Sequence, residues 1–263
     1  MALKRLRRFF SPIFSKIFRH ELKRARELLP EEFSPRKDEV IKGMAENQIS
    51  NLLEIFLYEK IMRVQPSFVE ILGIEHLKNA VSMNRGVIIL SAHFGNWELI
   101  AYTLVKLGFP IYAIVRPQAV NRMTEFMNSF RERRGVKVLM AENLKLSLKI
   151  LRGGGLVGIV SDLNAREWGY QASFFGRKAS FYPTPVILSE RSRAPVIPAF
   201  IERQRSGVQI VRFEPPILWK SDGTMVEKIQ QYVSRYENAI RKRPDHWVWF
   251  HERYVHAELG RSE

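Results

Sequence analysis

From Gly86 to Arg241, short apolar runs rich in branched side chains alternate with helical segments, and this alternation restricts the fold most. The runs GVIILSA (86–92), IYAIV (111–115), VKVL (136–139), LVGIVSD (156–162), APVIPAFIE (194–202) and GVQIVRF (207–213) are too short for buried helices and have the composition of strands. Between and after them, residues 96–107, 119–134, 143–151, 183–192 and 226–241 read as helices, with Gly108 and Pro110 ending the first. Upstream, FVEILGIEHL (68–77) reads as a strand entering a helix. Strands alternating with helices at this spacing predict an α/β domain with a central, mostly parallel sheet flanked by helices. A chain of 263 residues can bury a substantial core as one such domain. Ser34-Pro35 is a start signal for a long amphipathic helix closed by Pro66, so residues 31–65 form a helical lead-in to a domain covering 31–263.

Composition narrows the function. Apolar residues make up 46% of the chain, which rules out disorder. The absence of cysteine excludes disulfides, thiolate metal sites and a cysteine nucleophile. A net charge of +15 points to an anionic partner, whether nucleic acid, an anionic membrane surface or an acidic carrier protein. Residues 1–30 stand apart as a helical appendage. Residues 1–26 hold nine basic side chains against one acid, Glu21. Ser11-Pro12 reads as an N-cap and first helical position, after which Ile13, Phe14, Ile17, Phe18 and Leu22 recur at helical spacing beside a basic face. Such a segment can lie in a membrane interface, or dock as a surface helix on its own domain. No run is long and apolar enough to span a bilayer, and the N-terminus lacks the apolar core of a signal peptide, so the chain is expected on the cytoplasmic side. No nucleic-acid-binding motif accompanies the charge.

Three apolar runs end in residues with chemistry: His93 after VIILSA, Arg116 after IYAIV, and Asp162 closing LVGIVSD. In open α/β sheets ligands gather at these carboxyl ends. His93 has the proton affinity of a general base. Glu98 falls in the first turn of the next helix, with Asn96 as its expected N-cap, and across the strand-to-helix turn it can reach back to the imidazole. The plainer alternative is a core histidine followed by an ordinary first-turn glutamate. Arg116 can bind an anion or pair with a surface acid, and Asp162 can shape the site or cap a turn. His251 and Arg253, beside Trp247 and Trp249, read as structural docking. The basic residues of 122–152 could receive an acidic carrier protein or form a solvated face. There is no G-x-S-x-G elbow, no H-E-x-x-H zinc motif and no P-loop after Gly153-Gly154-Gly155.

SAHFGNWEL (91–99) resembles the signature block of the bacterial lipid A late acyltransferases, the lauroyl and myristoyl transferases, within the lysophospholipid acyltransferase superfamily and its H-x4-D/E motif. Four further blocks agree in order: VRPQAVNRMTEFMNSFRERRG, GGGLVGIVSDLNA, FFGRKASFYPTPVILSERSRAPVIPAFI and RPDHWVWFHERY. The resemblance covers roughly residues 35–256. It implies a glycerol-phosphate-acyltransferase-like fold on the cytoplasmic face of the bacterial inner membrane. It also implies direct acyl transfer from an acyl carrier protein or coenzyme A thioester to a hydroxyl of a lipid acceptor, with no cofactor, metal or nucleic acid. It makes His93 the base, Glu98 its partner and Arg116 an anion ligand, with Asn96, Asp162, Phe175 and Gly176 shaping the substrate site. Two features depart from the pattern. Leu163-Asn164 follows Asp162 where glutamine is frequent, and family members are usually longer and begin with a hydrophobic anchor. A lysophospholipid or amino-acid lipid is therefore the alternative acceptor to a lipid A precursor.

Overall fold

The computed structural model describes residues 2–116 and 121–254. Its centre is a seven-stranded sheet of order β1-β9-β8-β2-β5-β3-β4. The strands are β1 (Val69–Leu72), β2 (Val87–Ser91), β3 (Ile111–Val115), β4 (Lys137–Met140), β5 (Leu156–Val160), β8 (Val196–Arg203) and β9 (Gln209–Phe213). All pairings are parallel except β8 with β9, a hairpin that reverses the β9–β1 edge. β2 lies between β8 and β5, and all five of its residues are buried, as an unbroken apolar run requires of a strand covered on both faces. Helices α4 (Ile74–Ser82), α5 (Glu98–Lys106), α6 (Asn121–Arg133), α7 (Leu144–Arg152), α8 (Thr184–Ser192) and α9 (Met225–Lys242) supply the connections and the flanking layers. The α/β architecture with a helical N-terminal region is as the sequence predicts. Residues 119 and 120 of the helix expected over 119–134, Pro117, and residues 255–263 lie outside the described residues.

The small hairpin β6 (Tyr170–Phe174) and β7 (Arg177–Phe181) is additional to the sequence reading. Its two-residue turn is Phe175-Gly176, with φ of 50° and 73°. A turn of this hand follows the twist of the strands and normally takes Asn-Gly, so a phenylalanine at positive φ hides it. Packing holds Phe175 there: its ring meets Phe33 and Trp249, and its backbone N–H donates to Glu237 at 2.5 Å.

The N-terminal helices also differ from expectation. Helix α1 runs from Ala2 to Ile17 with Pro12 inside it, so Ser11-Pro12 is not a helix start. The missing proline N–H removes one intrahelical bond but does not divide the helix, which packs along α3 (Lys37–Val64). After α2 (Arg19–Leu28), residues Glu31–Arg36 form a 3-10 turn into α3, placing the long helix two residues beyond Ser34-Pro35. The expected apolar stripe divides in two. Phe14 stacks on Phe18 at 4.3 Å and Leu22 packs on the core, whereas Ile13 and Ile17 stay exposed, as does Phe9 outside that stripe, Phe9 and Ile17 by 69% and 67%.

Helix α3 buries polar residues as well as apolar ones. Glu54 receives both Arg203 Nε and Nη2 at 2.9 Å, and also Gln209 Nε2 and Asn96 Nδ2 at 2.9 Å. Arg203 also donates to Asn51 at 2.7 Å and to Asn47. Removing one member of a buried pair leaves the other charge without compensation. Glu54→Ala is therefore expected to cost about 3–5 kcal/mol and Glu54→Gln clearly less, read from urea unfolding midpoints; equal midpoints for Glu54→Ala and the parent would contradict this.

Candidate active site

The loop leaving β2 is tied down on both sides. Gly95 has φ of 57°, and a Cβ there would lie 2.0 Å from the Ile201 carbonyl oxygen, so only glycine fits. Its N–H donates to the His246 carbonyl at 2.8 Å and its carbonyl accepts from Asn51 at 2.8 Å. Val248 N–H donates to the His93 carbonyl at 3.2 Å. The imidazole of His93 therefore projects from a fixed backbone.

Its hydrogen-bonded carboxylate is Asp162: His93 Nδ1 lies 2.6 Å from Asp162 Oδ1. The strand register explains the meeting. Ser91 of β2 pairs with Val160 of β5, and His93 and Asp162 each come two residues later. Asp162 is fully buried. Its Oδ2 accepts from Trp247 Nε1 and Arg253 Nη2, both at 2.8 Å, and its carbonyl accepts from Arg253 Nε at 2.8 Å. Burial alone would raise the Asp162 carboxyl; the charges of His93 and Arg253 and their hydrogen bonds overcome this and hold it well below the usual carboxylate range. An ionised Asp162 accepts a proton-bearing Nδ1, which leaves Nε2 as the ring nitrogen free to take a proton from a substrate.

Glu98, expected to partner His93, is engaged elsewhere. Arg131 of α6 holds it with two bonds, Nε to Oε2 at 3.0 Å and Nη2 to Oε1 at 2.6 Å. A planar guanidinium matches a carboxylate better than an imidazole does, and Glu98 at the start of α5 faces α6. Asn96 is not the side-chain cap of α5: Trp97 holds the N-cap position, and the Asn96 amide donates to Glu54 and to the Asn51 carbonyl instead. Arg116 is exposed at the end of β3, hydrogen-bonded to the Tyr182 hydroxyl with its guanidinium 3.9 Å from that ring.

A cavity of about 700 Å³ joins several of these groups. His93, Glu98, Arg116, Arg131 and His251 line its polar part, and Ile89, Ile111, Ala113 and Gly158 its apolar part. Asp162 lies behind His93; Phe175 and Gly176 are outside the wall, Phe175 packed through Trp249 and Trp247 toward Asp162 and Gly176 exposed at the hairpin turn. The sequence reading did not assign Arg131, Trp247 and Arg253 to the site, although the tryptophan-rich block 243–254 marked the last two as a unit. Of the basic residues in 122–152, Arg131 and Arg134 are half-buried and hydrogen-bonded within the fold, while Arg122, Arg133, Lys137, Lys145, Lys149 and Arg152 are exposed. Among the described residues no three His, Cys, Asp or Glu side chains gather as a metal site.

The family model described as bacterial lipid A biosynthesis acyltransferase matches residues 2–256. Relatives include a lipid A biosynthesis palmitoleoyltransferase of Escherichia coli K12, 26% identical over 72% of this chain and 62% of its own. A lipid A biosynthesis lauroyltransferase of the same organism is 24% identical over 70% of this chain and 61% of its own. A phosphatidylinositol mannoside acyltransferase of Mycobacterium tuberculosis is 21% identical over 72% of this chain and 61% of its own. The matched region thus spans about three fifths of each relative's length.

His251, whose ring centre is 5.7 Å from that of His93, gives the site a pH signature. Burial, then the positive charges of Arg253 and His93, push it down from 6.5 to about 3. The unfolded chain binds this proton near its ordinary value and the folded chain does not, so stability is complete above about pH 6.5 and falls toward pH 3, by on the order of 1 kcal/mol per pH unit. Burial lowers His246 in the same direction. Unfolding free energies measured between about pH 7 and pH 5 should fall less steeply in His251→Asn, with the residual slope of His246 remaining; an unchanged slope would contradict the assignment.

Proposed function

The chain belongs to the bacterial lipid A biosynthesis acyltransferase family, and from that premise we propose that it transfers a fatty acyl chain from a thioester to a hydroxyl of a lipid, with His93 as general base. The observation that carries this reading is the His93–Asp162 pair at the edge of the cavity. His93 Nε2 takes the proton of the acceptor hydroxyl as its oxygen attacks the thioester carbonyl. The tetrahedral oxyanion collapses, the carbon–sulfur bond breaks, and the imidazolium returns the proton to the departing thiolate. Asp162 stabilises the imidazolium between these steps. No covalent acyl-enzyme is required, which suits a chain without cysteine.

Glu98 acts in this mechanism through Arg131. The paired guanidinium lies in the same cavity wall as His93, where a cation stabilises the developing oxyanion or an anionic group of either substrate. The donor is an acyl carrier protein or coenzyme A thioester. The favoured acceptor is a lipid A precursor, as the lauroyl- and palmitoleoyltransferase relatives suggest; the relative named for a phosphatidylinositol mannoside supports a different lipid headgroup as the second reading. Among the described residues no helix is long and apolar enough to cross a membrane. The proposed attachment to the cytoplasmic face of the inner membrane is through residues 1–30, with the outward face of α1 in the lipid interface and its cations on headgroup phosphates.

Two experiments test this reading. In a strain lacking the gene, mass spectrometry should show one lipid species short of an acyl chain, restored by the parent gene but not by His93→Ala. Asp162→Asn should lower transfer by about 10³–10⁴-fold through the wrong imidazole tautomer. Full complementation by a folded His93→Ala protein would end the proposal. For the membrane contact, Phe9→Glu with Ile17→Glu should weaken binding to anionic phosphatidylglycerol vesicles at least about tenfold without unfolding the domain, because both side chains already face outward. Unchanged co-sedimentation would remove the role of α1.

A further inference from the structure

The polar wall of the cavity holds a hydrogen-bond donor that no group of the protein uses. Gln48 of α3 lines the cavity with His93, Trp97 and His251, and its amide nitrogen is buried without a partner. Among the described residues of that wall, no other side chain has a buried polar atom in this state. An unpaired buried donor destabilises a fold and calls for a reason. Helical spacing shows what Gln48 stands beside. Met44, Gln48 and Asn51 share one face of α3. The Met44 sulfur accepts from the Trp249 N–H at 3.3 Å, and Asn51 donates to the Gly95 carbonyl at 2.8 Å. Gln48 therefore lies between the segment that carries His251 and the loop that carries His93. The two imidazoles meet edge to face, 5.7 Å between ring centres, and Trp97 packs on His93 at 4.8 Å. Burial and the charges of Arg253 and His93 keep His251 uncharged at neutral pH. A neutral imidazole donates one N–H without competing for the proton that His93 removes.

We infer that the Gln48 amide and the His251 imidazole each donate an N–H to the thioester carbonyl oxygen, and so form the oxyanion-binding site of the transfer. This inference rests on the acyl-transfer reading and names the groups that act on the acyl carbonyl. As the hydroxyl oxygen adds to the carbonyl carbon, the C=O π pair moves onto oxygen, where both donors meet it. When the carbon–sulfur bond breaks, the pair returns to the carbonyl and the thiolate leaves. Arg131 is less available for this contact, because its Nε, Nη1 and Nη2 already donate to Glu98 and Asn128. It supplies charge at longer range, and His93 is left to move the proton.

The probe is lauroyl pantetheine, isotope-labelled at its carbonyl, because pantetheine is the end shared by carrier-protein and coenzyme A thioesters. It is bound to the full chain carrying His93→Ala, which prevents turnover, and the carbonyl stretch is followed by infrared difference spectroscopy. The bound carbonyl should absorb at lower frequency than the free thioester. Adding Gln48→Leu or His251→Phe should each reverse part of that shift and change thioester affinity by no more than about fivefold. His251→Gln, which keeps an N–H, should retain most of it. With His93 intact and membranes of the deletion strain as acceptor, Gln48→Leu should lower kcat by about 10²–10³-fold with KM for the thioester little changed. Its thermal midpoint should equal or exceed the parent's, since an unpaired donor has been removed, whereas a glutamine kept only for structure would lose stability on substitution. A carbonyl shift left whole by both substitutions in folded proteins, with transfer near the parent's rate, would overturn the inference and leave the acyl-transfer reading in place. No bound thioester on the parent, together with unchanged lipids in the deletion strain, would reject that reading and this role with it.

Discussion

Asp162 carries its charge at a point no water reaches, and the site depends on how that charge is balanced. A carboxylate moved out of water would ordinarily take up a proton. Here Arg253 contributes two hydrogen bonds, one to the side chain and one to the main chain of the same residue, and Trp247 contributes a third donor. Arg253 also donates to the Val248 carbonyl and stacks on Trp247 with 3.6 Å between its central carbon and the ring centre. The C-terminal segment is thereby fastened to the end of β5, and the carboxylate stays ionised against burial. Only an ionised Asp162 can hold His93 in the tautomer that exposes a basic nitrogen. Elements far apart in sequence thus jointly set the state of a single imidazole.

A second buried ion pair fixes the other side of the same loop. Glu54 and Arg203 join α3 to the end of β8, while Asn51 and Asn96 extend the contact to the residues just after His93. An apolar core of equal volume could be as stable, since buried pairs recover little of their desolvation cost. Hydrogen bonds carry direction that apolar contacts lack, and the groups held here are the main chain of Gly95 and the side chain of Asn96. The pair accordingly sets the loop's position more than it adds stability.

The main strands were legible because β2, β5 and β8 are covered on both faces and leave unbroken apolar runs. The end of α5 followed from Gly108 and Pro110. The hairpin at 170–181 was not, because its turn uses Phe175 in a conformation that tertiary packing alone supports. The site was read partly for the same reason. His93 and Asp162 were recognisable at strand ends, but their pairing depends on β5 lying beside β2, an order that linear spacing does not contain. Spacing along the chain instead favoured Glu98, whose partner arrives from α6. Pro12 misled in the opposite way: a strong local start signal lies inside a continuous helix that packs along α3.

The same α3 that anchors the histidine loop also receives α1. Arg7 of α1 pairs with Glu46 of α3 at 3.4 Å, one residue before Asn47, which takes part in the Arg203 network. α1 docks through this pair and through the side facing α3, and leaves Phe9, Ile13 and Ile17 outward. An outward apolar face this close to a charge network costs solubility unless it is covered. The proposed lipid interface would cover it, and α3 ties that face to the loop that follows His93. On the proposed reading, the helix that meets the surface and the loop that carries His93 share one support, α3.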